Sequence, residues 1–174
     1  MAAAQGEVRP GQCATCHGAD GNSQMPGIPS IAGQPRVFLE TQLILFREGV
    51  RAAPQKDAVI RGLSDRDIAS IAAFFAARPL HTEPGRGDPA LIRQGQSAAQ
   101  KLGCGTCHLP DYQGREQIPR LAGQREDYLV QSMIAFRDNP RPGGDTIMAA
   151  NLYGVPDAEV RAMAHFFSRY RPRE

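Results

Sequence analysis

The chain has 174 residues, of which 41% are hydrophobic, 6% aromatic and none tryptophan, and its formal net charge is +2. That length holds one domain or two small ones, and the apolar share allows a packed core. The charge is too small for electrostatic capture of nucleic acid or an anionic membrane, and no run of about 18 apolar residues reads as a transmembrane span.

In chain order, Met1 to Glu7 lacks the apolar stretch of a signal peptide and reads as a mature or engineered start. Cys13-Ala14-Thr15-Cys16-His17 follows at once. A Cys-x-x-Cys pair followed directly by His marks covalent attachment of a c-type haem. The two thiols bond the two vinyl groups along one haem edge, and the adjacent imidazole is set beneath the ring, within reach of iron. A thioredoxin-like pair needs no such His, and zinc or two disulfides would leave the histidines unexplained.

Val37 to Glu48 is amphipathic, with Leu39, Leu43 and Phe46 near helical spacing. A loop carrying Gln55, Lys56 and Asp57 comes next. Ser64-Asp65-Arg66-Asp67 has the form of a capping box and opens a helix over Asp65 to Ala77. Ile68, Ile71, Ala72 and Phe75 make its apolar face. Pro79 to Pro89, with three Pro and two Gly, reads as a linker.

Leu91 to Leu102 is a predicted helix that leads into Cys104-Gly105-Thr106-Cys107-His108, a second motif at an offset of 91 positions. A matching helix before Cys13 is cut short or begins in a missing N-terminus. Tyr128 to Asp138 and Asp157 to Arg169 are the remaining predicted helices, with Pro156 suited to a first turn. The motif surroundings repeat as well. Pro29-Ser30-Ile31-Ala32-Gly33-Gln34 matches Pro119-Arg120-Leu121-Ala122-Gly123-Gln124, Phe46-Arg47 matches Phe136-Arg137, and Phe74-Phe75 matches Phe166-Phe167. The Phe pairs read as ordinary helix packing. The expected organisation is therefore a first domain over 1–78, a linker over 79–89 and a second domain over 90–174.

These paired motifs, the Pro-x-x-Ala-Gly-Gln segments and the Phe-Arg helix ends resemble the dihaem cytochrome c4 family over nearly the whole chain. The resemblance implies an all-α protein of two tandem class I cytochrome c domains, each enclosing one haem c. Cys13, Cys16, Cys104 and Cys107 would hold the two haems covalently, with His17 and His108 as proximal iron ligands. It also implies haem propionates near the domain interface, Pro29 and Pro119 near the proximal rings, and electron shuttling in the periplasm between a dehydrogenase donor and an oxidase or other acceptor.

The sixth iron ligand separates an electron carrier from a haem open to small molecules. In the second domain Met148 lies in the loop ahead of the last helix, as class I cytochromes require, whereas Met133 and Met163 fall on helices among apolar residues. The first domain has no Met in that loop. The second copy is two residues longer between Phe136 and Asp157 than the first between Phe46 and Asp65, and Pro142-Gly143-Gly144 is the natural place for them. Lys56 then aligns with Met148; an insertion placed later would align Ala58, which cannot ligate. Lys56 is also one of only two lysines among 20 basic residues, and a lysine, unlike arginine, can shed its proton and offer a lone pair. Gln55, Met25 or a water-ligated iron are the alternatives, while His81 lies in the linker and His165 in the last helix. The expected function is electron transfer without catalysis. The alternatives are a dedicated electron-accepting subunit of an oxidoreductase such as a thiosulfate dehydrogenase, and a small-molecule or catalytic haem at the first site.

Overall fold

The computed structural model describes residues 11–81, 87–139 and 145–172. The expectations about Met1 to Glu7, the helix before Cys13, the insertion at Pro142-Gly143-Gly144 and the middle of the linker concern residues outside these ranges, in whole or in part. Among the described residues the chain is helical: α1 (Gly11–His17), α2 (Arg36–Arg47), α3 (Pro54–Ile60), α4 (Asp65–Ala76), α5 (Pro89–Lys101), α6 (Cys104–His108), α7 (Glu126–Asp138), α8 (Thr146–Leu152) and α9 (Asp157–Arg169). The one β pairing found there is an isolated bridge between Arg115 and Ile118. No helix among the described residues is long and apolar enough to cross a membrane.

Local chemistry explains the helix starts. At α4 the Ser64 hydroxyl accepts from the Asp67 N–H at 3.2 Å, and the Asp67 carboxylate accepts from the Ser64 N–H at 2.8 Å. Two otherwise unpaired donors are satisfied, as the capping box requires. α5 opens on Asp88, whose carboxylate accepts from the Ala90 N–H at 2.7 Å, with Pro89 in the first turn. Pro156 stands one position earlier than expected, as the residue before α9. α3 and α8 are helices where the sequence reads as loop. Pro54 starts the first, and Asp145 caps the second by accepting from the Ile147 and Met148 N–H groups.

Each half has its own core. In the first, Leu39 of α2 and Ile60 of α3 pack with Ile68, Ile71, Ala72 and Phe75 of α4. In the second, α5 and α7 pack on α9 around Leu129, Val160, Met163 and Phe167. Gly95 permits the α5–α9 contact, because a Cβ there would lie 2.0 Å from the Ala162 carbonyl oxygen. The repeated Phe-Arg pairs hold equivalent corners. Arg47 donates to the Leu63 carbonyl at 3.1 Å and pairs with Asp65, and Arg137 donates to the Val155 carbonyl at 2.7 Å and pairs with Asp157. The Ala-Gly-Gln loops also dock alike, through Gly33 N–H to Phe75 C=O at 2.9 Å and Gly123 N–H to Phe167 C=O at 2.8 Å.

Candidate functional site

α1 and α6 carry the two Cys-x-x-Cys-His motifs. His17 Nδ1 lies 2.9 Å from the Pro29 carbonyl oxygen, and His108 Nδ1 lies 2.8 Å from that of Pro119. A carbonyl only accepts, so in the neutral ring Nδ1 holds the proton and Nε2 keeps its lone pair. Burial pushes both imidazoles below their ordinary pKa, and at His17 the Lys56 ammonium adds to that depression. Both rings are therefore neutral and oriented, which is the state a metal needs. Burial pushes the Cys13 and Cys104 thiols up, so they are protonated at neutral pH.

One cavity of about 620 Å³ is lined by both motifs and by apolar side chains of both halves, among them Leu39, Phe75, Leu129 and Phe167. Four thiols, two imidazoles with free lone pairs and an apolar wall fit two covalently bound haem c groups. Zinc lacks such support, since no group of three or more His, Cys, Asp or Glu side chains converges among the described residues.

Lys56 and Met148 both line this cavity. Each is the third residue of its short helix, α3 or α8, and the two helices are offset by the same 92 positions as α4 and α9. The Lys56 ammonium lies 4.5 Å from the centre of the Phe46 ring and is close enough to Cys13 and His17 to perturb both. Gln55 borders the cavity too. Met133 and Met163 are buried in the second core and also touch its wall. Met25 is 45% exposed and is not part of the lining. Asp57 pairs with Arg61 at 2.8 Å. His81 turns to Asp20, 3.7 Å away, and His165 sits between Glu126 and the Asp88 N–H, which donates to it at 2.9 Å.

Sequence reasoning missed the residues that join the halves. The Gln124 amide accepts from the Ser30 N–H and donates to the Ser30 carbonyl, both at 2.8 Å. Gln34 does the same at Arg120, accepting from its N–H at 2.9 Å and donating to its carbonyl at 3.1 Å. Arg120, only 2% exposed, donates across the interface to the Ala32 and Gly33 carbonyls and within its own half to that of Ala122. Burial lowers its pKa to about 10. The available signals are the two Ala-Gly-Gln repeats and the Arg that stands where the first copy has Ser30.

Comparisons with known proteins agree with this geometry. Residues 3–75 match the family described as cytochrome C oxidase, cbb3-type, subunit III, and residues 92–169 match the family cytochrome c. The chain is 33% identical to a cytochrome c4 of Pseudomonas aeruginosa, with 94% of this chain and 86% of that protein covered. It is 31% identical to a thiosulfate dehydrogenase electron acceptor of Stutzerimonas stutzeri, covering 93% of this chain and 80% of the other. The crystal structure of reduced recombinant cytochrome c4 from Pseudomonas stutzeri superposes with a TM-score of 0.86 at 28% identity, covering 95% of this chain and 97% of that one.

Proposed function

This chain belongs to the cytochrome c4 family, and from that premise we propose that it passes electrons one at a time between protein partners outside the cytoplasm, in the periplasm. It is a dihaem electron-transfer cytochrome, all-α, with two cytochrome c domains and two covalently bound haem c groups. Haem supplies an iron that changes oxidation state by one electron. The chain supplies attachment, orientation and a dry wall. The observation that carries the reading is the single, largely apolar cavity on which both motifs open, because haems held by both motifs there would lie close to one another.

The proposed attachment residues are Cys13 and Cys16 in a domain over 1–78, and Cys104 and Cys107 in a domain over 90–174, with 79–89 as linker. His17 and His108 are the proposed proximal ligands, supported by their neutral, oriented rings. Met148 and Lys56 are the proposed distal ligands, supported by their equal helix positions and their share in the cavity wall. Lys56 and Met148 would close both irons to outside ligands, which suits one-electron transfer with little rearrangement. The periplasmic assignment rests on the thioether chemistry, since haem attachment of this kind is carried out outside the cytoplasm.

Carbon monoxide added to the reduced protein tests the proposal. An unchanged Soret band is expected from two saturated irons. A shift of half the band would instead favour a small-molecule haem at the first site. Cell fractionation tests the compartment, and recovery of the haem-loaded protein with cytoplasmic markers would refute it.

A further inference from the structure

The peptide that accepts each proximal histidine is itself bonded by the opposite half. Pro29 C=O accepts from His17 Nδ1, and the N–H of that same peptide, on Ser30, donates to Gln124 Oε1 at 2.8 Å. Pro119 C=O accepts from His108 Nδ1, and the N–H of that peptide, on Arg120, donates to Gln34 Oε1 at 2.9 Å. Both glutamines are buried, at 4% and 3% exposure. Each chain thus runs from a glutamine of one half, through one peptide group, to the imidazole of the other.

We infer that Gln34 and Gln124 are positioning residues that set the reduction potential of the haem in the opposite domain. Hydrogen bonds in a chain polarise one another, by about 10–30% per bond. An acceptor on the peptide N–H makes its carbonyl a stronger acceptor for Nδ1–H. That draws imidazolate character onto the ring, and a more basic ligand favours the ferric state. Each glutamine therefore lowers the potential of the haem across the interface.

The two relays are unequal for a reason visible in the sequence. Gln124 Oε1 also accepts from the Arg125 N–H at 2.9 Å, so its acceptor is divided. Gln34 is followed by Pro35, which has no N–H to compete. The Gln34 relay to His108 is the stronger.

The inference rests on haem being held at His17 and His108. A spectroelectrochemical titration of the holoprotein checks that separately, because two one-electron steps report two haems whatever a variant does to their positions. EPR of the partly reduced protein assigns each step to its haem. Gln34→Met is expected to raise the second haem by about threefold in the reduced-to-oxidised ratio, ~30 mV at 59 mV per tenfold, and to leave the first in place. Gln124→Met should raise the first haem by less and leave the second. Asp127→Ala is the control for a merely structural role, because it cuts the Gly27 N–H bond across the same interface, 2.8 Å, and the Arg125 ion pair, while leaving the glutamine and histidine hydrogen bonds of both relays in place. It should not raise one haem alone, as each glutamine variant does. If Gln34→Met fails to fold, Gln34→Leu carries the same test with the same sign, since it too removes the acceptor from the Arg120 N–H. Shifts in the variant's own domain, equal shifts of both haems, shifts reproduced by Asp127→Ala, or no shift would each overturn the inference.

Discussion

Lys56 and Met148 hold the same place in the two halves, each the third residue of a seven-residue helix and each on the wall of the shared cavity. The first haem should therefore lose its low-spin spectrum in Lys56→Ala, as read by EPR and optical absorption. Lys56→Met should restore a low-spin site and raise that haem's potential, because a thioether favours ferrous iron over an amine. An Ala variant with the native spectrum would remove Lys56 from the account.

Arg120 places a buried cation between the halves, bonded to the Ala32, Gly33 and Ala122 carbonyls. Reduction adds an electron to each haem, so a nearby positive charge favours it. Arg120→Met keeps the bulk and removes the charge. Both potentials should fall, and stability should drop by about 1–3 kcal/mol as buried carbonyls lose their donors. Redox titration and denaturant unfolding measure the two effects. Unchanged potentials would show that the charge is not felt at either iron.

Gly95 lies where α5 crosses α9, with no room for a side chain against the Ala162 carbonyl. Gly95→Ala gains helix propensity but forces the helices apart, and the net cost should be about 1–3 kcal/mol. Thermal unfolding should show a lowered Tm with an unchanged absorption spectrum of the first haem. A raised Tm would mean the crossing is loose.

Glu126 links α7 to α9 through His165 and Arg169. Burial raises its pKa, but the hydrogen bonds from Arg169 and His165 outweigh this and leave it below the ordinary 4.5. A carboxyl depressed by folding contributes stability above its unfolded pKa and loses it as pH falls through the folded value. Unfolding free energy should therefore fall with acid from about pH 4.5 downward, and Glu126→Gln should flatten that slope. An identical slope in the variant would place the acid sensitivity elsewhere.

The attachment motifs are legible in sequence because bonding to one haem edge fixes their spacing. The long helices are legible through apolar periodicity: Asp157 to Arg169 agrees with α9 residue for residue, and Val37 to Glu48 differs from α2 by one residue at each end. Seven residues carry too little periodicity to reveal α3 or α8, although Pro54 and Asp145 mark their starts in hindsight. The glutamine relays are not legible at all. They join groups 94 and 86 positions apart, and an amide side chain carries no pattern that names its partner. Tyr112 shows the same limit. It stands where the first copy has Gly21, in a left-handed conformation that disfavours a side chain, and its ring packs edge-on against Phe166, Phe167 and Tyr170.

Two unlike one-electron sites are proposed to share one protein, with Met148 setting the higher potential. A redox titration of the native protein and Met148→Ala, followed optically, tests it most directly. The native protein is expected to titrate in two one-electron steps of equal amplitude at different potentials. In the variant the upper step should fall by at least about 59 mV, a tenfold change in its equilibrium, while the lower stays. A single step, or an upper step that Met148→Ala leaves unmoved, would contradict it.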